Sequence, residues 1–185
     1  PGIFPPLRDG SSLLVDGGVL DNLPVAEMQR LHPGACVIAV DVSKSMLAGD
    51  VSPSRLERAR RKVVDLLNLL QGDRVGLIGF AGRAFVLTPL TLDYGAIRRF
   101  IDSLDPSLSP IAGTAVGEAI DLAEQTFEQQ PSERESQALI LMTDGEDLEG
   151  DALAKAKEAA SKGLRIYTLG IGTTEGAPIP EEGGG

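Results

Sequence analysis

Four segments of the chain are almost continuously apolar and rich in β-branched residues. This pattern is typical of strands that are buried on both faces of a sheet. The segments are residues 36–42, 74–80, 137–143 and 165–171. A fifth run, at residues 84–88, follows the turn Ala81-Gly82-Arg83 and is predicted to pair antiparallel with the strand before that turn.

Apolar residues recur at helical spacing between these strands. The spacing predicts helices over residues 55–70, 94–104, 114–130 and 151–162. Strands that alternate with helices indicate an α/β fold, here a doubly wound, mainly parallel sheet with one antiparallel edge strand.

Both ends of the chain differ from this regular core. Residues 1–11 contain three Pro and two Gly and are predicted to be coil, whereas residues 13–15 form a short predicted strand. Residues 24–31 are predicted to form a short helix. From Gly172 onward the chain is rich in Gly, Pro and Glu, which predicts a flexible tail over residues 176–185.

Composition excludes several classes of function. The net charge of −10 argues against a general nucleic-acid or anionic-membrane surface. No apolar run approaches the roughly 18–20 residues that span a bilayer. The single Cys36 excludes an intrachain disulfide framework, and the single His32 excludes a His-rich metal site.

Polar side chains cluster where predicted strands end or a helix begins. If strands 36–42 and 137–143 are neighbours, three loops converge at one edge of the sheet. Two carboxylates and three hydroxyls are hard oxygen donors, which favour Mg²⁺, Mn²⁺ or Ca²⁺ and leave a coordination position for water or an incoming carboxylate. These candidate donors are Asp41, Ser43, Ser45, Thr114 and Asp144.

The same segments resemble a known family. DVSKS, GT and TDGED resemble the metal-ion-dependent adhesion site of von Willebrand factor type A domains, and DVSKSM, GTAVGEAI, LILMTDGED and YTLGIGT resemble its bacterial aerotolerance (Bat-type) branch. The resemblance covers about residues 36–180. It implies a Rossmann-like sheet of six strands and a binding module without catalysis. A partner protein would complete the metal site with an acidic side chain.

The resemblance also implies roles for individual residues. Asp41, Ser43, Ser45, Thr114 and Asp144 match the family's metal-holding groups, and the two Asp often act through water. Proteins of this branch are usually anchored in a bacterial inner membrane, so the localisation of this chain stays open.

Residues 1–43 resemble a different family. PGIFPPLRDGSSLLVDGGVLDNLPV is similar to the late part of patatin-like phospholipases, in which an aspartate matching Asp16 supports a serine nucleophile. That chemistry needs a G-x-S-x-G elbow, which this sequence lacks, so we expect no hydrolase activity. Because both resemblances share residues 37–43, we hypothesise an engineered or recombination-derived chimera, or a natural gene fusion.

The combined resemblances predict a domain organisation. Residues 1–35 would be an appendage on the sheet of a domain at 36–175, followed by the tail, with appendage and domain folding as one unit. The family's last strand is absent here, so strand 13–15 is predicted to replace it beside strand 165–171. An unfilled edge would favour strand exchange, so the chain would be a monomer or a strand-exchanged dimer.

Other interpretations remain open at this point. Asp41, Ser43 and Ser45 could form an ordinary turn that caps a helix. Asp41 could be a phosphatase nucleophile, although Ser43 stands where such sites carry a second Asp. A recombined chain could retain the metal site as a relic without a partner. The basic run at residues 55–62 is interpreted as a solvated helix face.

Overall fold

The computed structural model describes most of the chain. The described residues are 34–70, 72–131, 136–145, 151–173 and 176–179, together with the backbone of residues 7–9 and 12–15. The predicted helix at residues 24–31, Asp16, His32 and most of the acidic run after Asp144 lie outside them.

The described strands form one sheet of seven. Their order across the sheet is β1-β2-β7-β6-β3-β4-β5. The β1–β2 and β4–β5 pairs are antiparallel and the others are parallel. The strands are β1 (Leu7–Asp9), β2 (Ser12–Val15), β3 (Ala35–Asp41), β4 (Arg74–Phe80), β5 (Ala84–Thr91), β6 (Gln137–Thr143) and β7 (Arg165–Gly170).

Helices cover both faces of the sheet, as the apolar spacing predicts. The α-helices are α1 (Arg55–Leu69), α2 (Tyr94–Asp102), α3 (Val116–Glu128) and α4 (Ala152–Ser161). Apolar residues of α1 and α2 pack on one face, and those of α3 and α4 pack on the other. The doubly wound α/β fold predicted from the sequence is therefore confirmed.

The central strand β3 is buried along its whole length. Because successive side chains of a strand point to opposite faces, Cys36, Ile38 and Val40 enter one core while Val37 and Ala39 enter the other. Burial also raises the pKa of the Cys36 thiol well above its ordinary value. This thiol is therefore a packing group and not a nucleophile.

The strand at the amino-terminal end lies where the sequence predicts it. Strand β2 pairs in parallel with β7, with Leu13 opposite Tyr167 and Val15 opposite Leu169. The prediction that this strand occupies the edge beside residues 165–171 is confirmed.

Two segments differ from the predictions. Residues 7–9 belong to the predicted coil but form β1, which pairs antiparallel with β2. Strand β5 continues past the predicted end at Thr88, through Pro89, to Thr91. Proline is accommodated there because β5 is an edge strand, and the pairing with β4 is irregular at this point.

No helix within the described ranges has the length and apolar character needed to cross a bilayer.

Candidate metal centre at the carboxyl ends of β3 and β6

Strands β3 and β6 are neighbours and run in parallel. Val40 is paired with Met142, so the residues that follow, Asp41 and Thr143, end the two strands side by side. The condition for convergence of the predicted loops is therefore met.

Asp41 is fully buried and tied to both strands. Its Oδ1 accepts a hydrogen bond from the backbone N–H of Ser43 at 2.8 Å, and its Oδ2 accepts one from the Thr143 hydroxyl at 2.7 Å. Burial raises the pKa of Asp41 to about 6, although these hydrogen bonds oppose the rise and the charge of Asp144 adds to it. Asp41 is thus held in a fixed position in an environment that disfavours its charged form.

Ser43 and Ser45 are brought together by a short 3₁₀ turn at Lys44–Leu47. Their hydroxyl oxygens lie 2.9 Å apart, and both residues are buried. Ser43 stands at the N-cap of this turn, but its side chain makes no capping hydrogen bond. Helix α1 is instead capped by Ser54, which accepts a hydrogen bond from the N–H of Glu57. These contacts disfavour the interpretation of Ser43 and Ser45 as helix caps.

Thr114 reaches the same place from the loop before α3. Gly113 precedes it with φ of +134°, a conformation that favours glycine, and Ala115 donates its N–H to the carbonyl of Ala81 at 2.7 Å. A cavity of about 260 Å³ is lined by Ser43, Ser45 and Thr114. The three predicted hydroxyl donors therefore share one cavity.

Asp144 is held from one side only. Its side chain is 2% exposed, and its Oδ2 pairs with Nη1 of Arg55 at 2.9 Å. Its Oδ1 is buried without a hydrogen-bond partner. Asp144 and Asp41 are not among the residues that line the cavity, so the structure brings the three hydroxyls to the cavity wall but not the two carboxylates.

Two further residues at the site lie outside the predicted donor set. The interpretation of residues 55–62 as a solvated face is wrong for Arg55, which is buried and paired with Asp50 and Asp144. Thr143 belongs to the polar cluster at the end of β6 but is not among the predicted metal donors, although its position directly before Asp144 at a strand end indicates that it reaches the site. For Arg55 the signal was weaker, since nothing in a basic helical run distinguishes its one buried member.

The donor set suits a small divalent cation. A buried carboxylate oxygen without a partner, Oδ1 of Asp144, is a group that a cation would satisfy. Hydroxyl and carboxylate oxygens are the ligands that Mg²⁺ and Mn²⁺ accept. Within the described part of the chain no three His, Cys, Asp or Glu side chains are grouped to hold a metal, so binding here would depend on the hydroxyls.

Comparisons with known proteins agree with this architecture. A family model of the von Willebrand factor type A domain matches residues 36–146. The crystal structure of the conserved hypothetical protein BatB from Bacteroides thetaiotaomicron is similar at 50% identity and a TM-score of 0.77, over 81% of this chain and 72% of that one. An aerotolerance-related membrane protein from Bacteroides fragilis is similar at 47% identity and a TM-score of 0.77, over 81% of this chain and 73% of that one.

A curated relative from Nocardia farcinica, a UPF0353 protein, is 34% identical over an alignment of 169 positions, and the match covers 80% of this chain and 48% of that protein. The chain thus spans about half the length of the curated relatives that it matches. None of these matches supports the patatin-like resemblance of residues 1–43 or a chimeric origin. The chain belongs to the von Willebrand factor type A domain family, as its sequence motifs predict.

Proposed function

We propose that this chain is a binding module that captures a protein partner through a divalent cation. The hydroxyls of Ser43, Ser45 and Thr114 would hold the cation directly, and Asp41 and Asp144 would act directly or through water. The proposal assigns the domain no catalytic role. The observation that carries it is that the three hydroxyls line one cavity at the sheet edge where the buried side chains of Asp41 and Asp144 lie, at the end of β3 and directly after β6.

The oxygen donors at the site suit Mg²⁺, with Mn²⁺ or Ca²⁺ as substitutes. Two carboxylates do not fill the coordination shell of a small divalent cation, and one of them, Asp144, is also paired with Arg55. Such a cation retains water or takes a further acidic ligand. Domains of this family often depend on a metal and take part in protein interactions. One fold neighbour, at 21% identity, is described as manganese-loaded Plasmodium vivax TRAP protein.

The cavity indicates the kind of partner. Its wall includes Val42 and Ala81, and Ile111 and Ile179 are each 47% exposed beside the hydroxyls. An acidic side chain could reach the cation while its apolar stem contacts these residues. We therefore propose a protein partner that presents an Asp or Glu to the metal.

Domain organisation follows the same proposal. Residues 36–175 would form the binding domain and residues 176–185 a tail, with residues 1–35 as an appendage that folds with the domain. The pairing of β2 with β7 supports this arrangement and favours a monomer, since it covers that edge within one chain. The alternative interpretation as a patatin-like hydrolase gains no support, because the sequence lacks the G-x-S-x-G nucleophile elbow.

The experiment measures Mn²⁺ binding by water-proton relaxation and then adds a short peptide that contains one Glu. We expect enhanced relaxation for the wild type and a decrease when the peptide displaces water from the ion. Ser43→Ala should abolish the enhancement. Ser109→Ala, a serine that lines the same cavity outside the donor set, should retain it. Absence of enhancement in the wild type, or equal enhancement in both variants, would refute the proposed site.

A further inference from the structure

Arg55 contacts three loops at the carboxyl edge of the sheet. Its Nη1 pairs with Oδ2 of Asp144 at 2.9 Å. Its Nε and Nη2 donate to the two carboxylate oxygens of Asp50 at 2.9 and 3.0 Å. The side chains of Arg55 and Asp50 are only 11% and 5% exposed. The guanidinium is therefore shared between a predicted metal ligand and a second buried carboxylate.

Further contacts fix Arg55 in this position. Thr173 donates its backbone N–H and its hydroxyl to Oδ2 of Asp50, at 2.8 and 3.0 Å. Gly172 leaves room for the guanidinium, since a Cβ at that position would lie 3.1 Å from its Nε. The site requires a planar group that donates to Asp50 on one side and to Asp144 on the other. A guanidinium meets this requirement and a lysine ammonium does not.

We propose that Arg55 is a built-in counter-ion of Asp144, which compensates this buried carboxylate without metal and opposes the binding of a divalent cation. The metal part of this inference rests on the proposed function. The two carboxylate oxygens of Asp144 differ in their partners. Arg55 occupies Oδ2 and leaves Oδ1 as the acceptor for a cation.

A cation at Oδ1 would share the carboxylate with the guanidinium. Like charges on one carboxylate repel, and the charge of Asp144 is already partly neutralised by Arg55. The site would thereby be tuned to a lower intrinsic cation affinity and to greater dependence on a partner's carboxylate. A residue that only positioned Asp144 would have the opposite effect, because its loss would weaken cation binding.

The test compares Arg55→Met with Arg61→Met, which removes the same charge from an exposed position on the same helix. In EDTA, Arg55→Met should lower the melting temperature and Arg61→Met should leave it unchanged. On titration with Mg²⁺, Arg55→Met should bind more tightly than the wild type, on the order of tenfold, and show the larger melting shift. Weaker binding by Arg55→Met would overturn the proposal in favour of a positioning role.

A second variant keeps the counter-ion role testable without metal. Asp144→Asn should lower the melting temperature of the wild type in EDTA, because Arg55 loses a charged partner. In the Arg55→Met background the same substitution should raise the melting temperature, since it removes an uncompensated buried charge. If Arg55→Met does not fold, addition of Asp144→Asn should restore folding. A decrease in both backgrounds would contradict the counter-ion role.

The two proposals can fail separately. If no protein responds to Mg²⁺, the proposed function and the metal part of this inference fall. The sign of the Asp144→Asn effect in the two backgrounds still decides whether Arg55 compensates Asp144.

Discussion

The hydroxyl of Thr143 donates a hydrogen bond to the carboxylate of Asp41 at 2.7 Å, between residues 102 positions apart in the sequence. This contact joins the ends of β3 and β6 and fixes the orientation of the buried carboxylate. Thr143 also accepts a hydrogen bond from the N–H of Gly145, so one side chain organises both loops.

Replacement of Thr143 by valine should therefore destabilise the metal-free protein. The substitution preserves the shape of the side chain, but Oδ2 of the buried Asp41 loses the hydrogen bond that the Thr143 hydroxyl donates. We expect a loss of about 1–3 kcal/mol in the free energy of unfolding, measured by urea denaturation in EDTA. Thr143→Ser keeps the hydroxyl and should retain most of the stability. Equal losses in both variants would show that packing, and not the hydrogen bond, is responsible.

Gly82 sets the position of the loop that carries Thr114. A Cβ at this residue would lie 2.6 Å from the carbonyl oxygens of Ile111 and Ala112, which are backbone atoms with little freedom to move. Gly82→Ala should therefore displace the loop, lower the free energy of unfolding by about 1–3 kcal/mol and reduce Mg²⁺-dependent stabilisation. Gly49→Ala, where a Cβ meets nothing within 4 Å, is the control. A variant that melts and binds Mg²⁺ like the wild type would contradict this role.

Asp50 should contribute stability that depends on pH. Hydrogen bonds from Arg55, and then from Thr173, hold the pKa of Asp50 well below its ordinary value. The folded protein thus binds fewer protons than the unfolded chain, so this stabilisation is complete above about pH 4 and is lost as the pH falls below it. Asp50→Asn should cost about 2 kcal/mol at pH 7. The difference in the free energy of unfolding between Asp50→Asn and the wild type, measured by urea denaturation, should shrink in acid. A difference that stays constant with pH would contradict this role of Asp50.

Strand β2 should protect β7 from solvent and from other chains. Leu14 lies in a strand with neighbours on both sides, and it is paired with Thr168. Leu14→Pro removes an N–H that such a strand needs, so hydrogen exchange in β7 should accelerate and concentration-dependent dimers should form. Amides of β4, on the opposite side of β3, serve as the internal reference. Unchanged exchange in β7 would argue against this pairing in solution.

The sequence was sufficient to predict most of the fold because both the continuous apolar runs of the strands and the helical spacing of apolar residues were clear. Strands β4 and β6 were predicted at their observed ends, since an apolar run with glycine or polar residues on both sides leaves little choice of where the strand begins and ends. Residues 7–9 were not predicted to form a strand, because three residues in a Pro- and Gly-rich segment are too few to show an alternation of apolar and polar positions. Their pairing with β2 is a tertiary effect.

The site was predictable in part for the same reason. Asp41, Ser43 and Ser45 follow a strand whose buried pattern is evident, so their place at the edge of the sheet could be inferred. The role of Arg55 could not, because its partners Asp50 and Asp144 are 5 and 89 residues away and only the folded chain brings them together. A basic helical run shows no sign of which member points inward.

Thermal unfolding with and without a divalent cation tests the central claim most directly. The wild type, Ser43→Ala and Ser109→Ala would be melted in EDTA and then in Mg²⁺, Mn²⁺ or Ca²⁺. At about 100 times the dissociation constant, a bound cation should stabilise the native state by roughly 2.7 kcal/mol, or roughly 5–10 °C for a domain of this size. The account predicts this shift for the wild type and Ser109→Ala and its loss in Ser43→Ala. A wild type that melts at the same temperature in EDTA and in all three cations would contradict it.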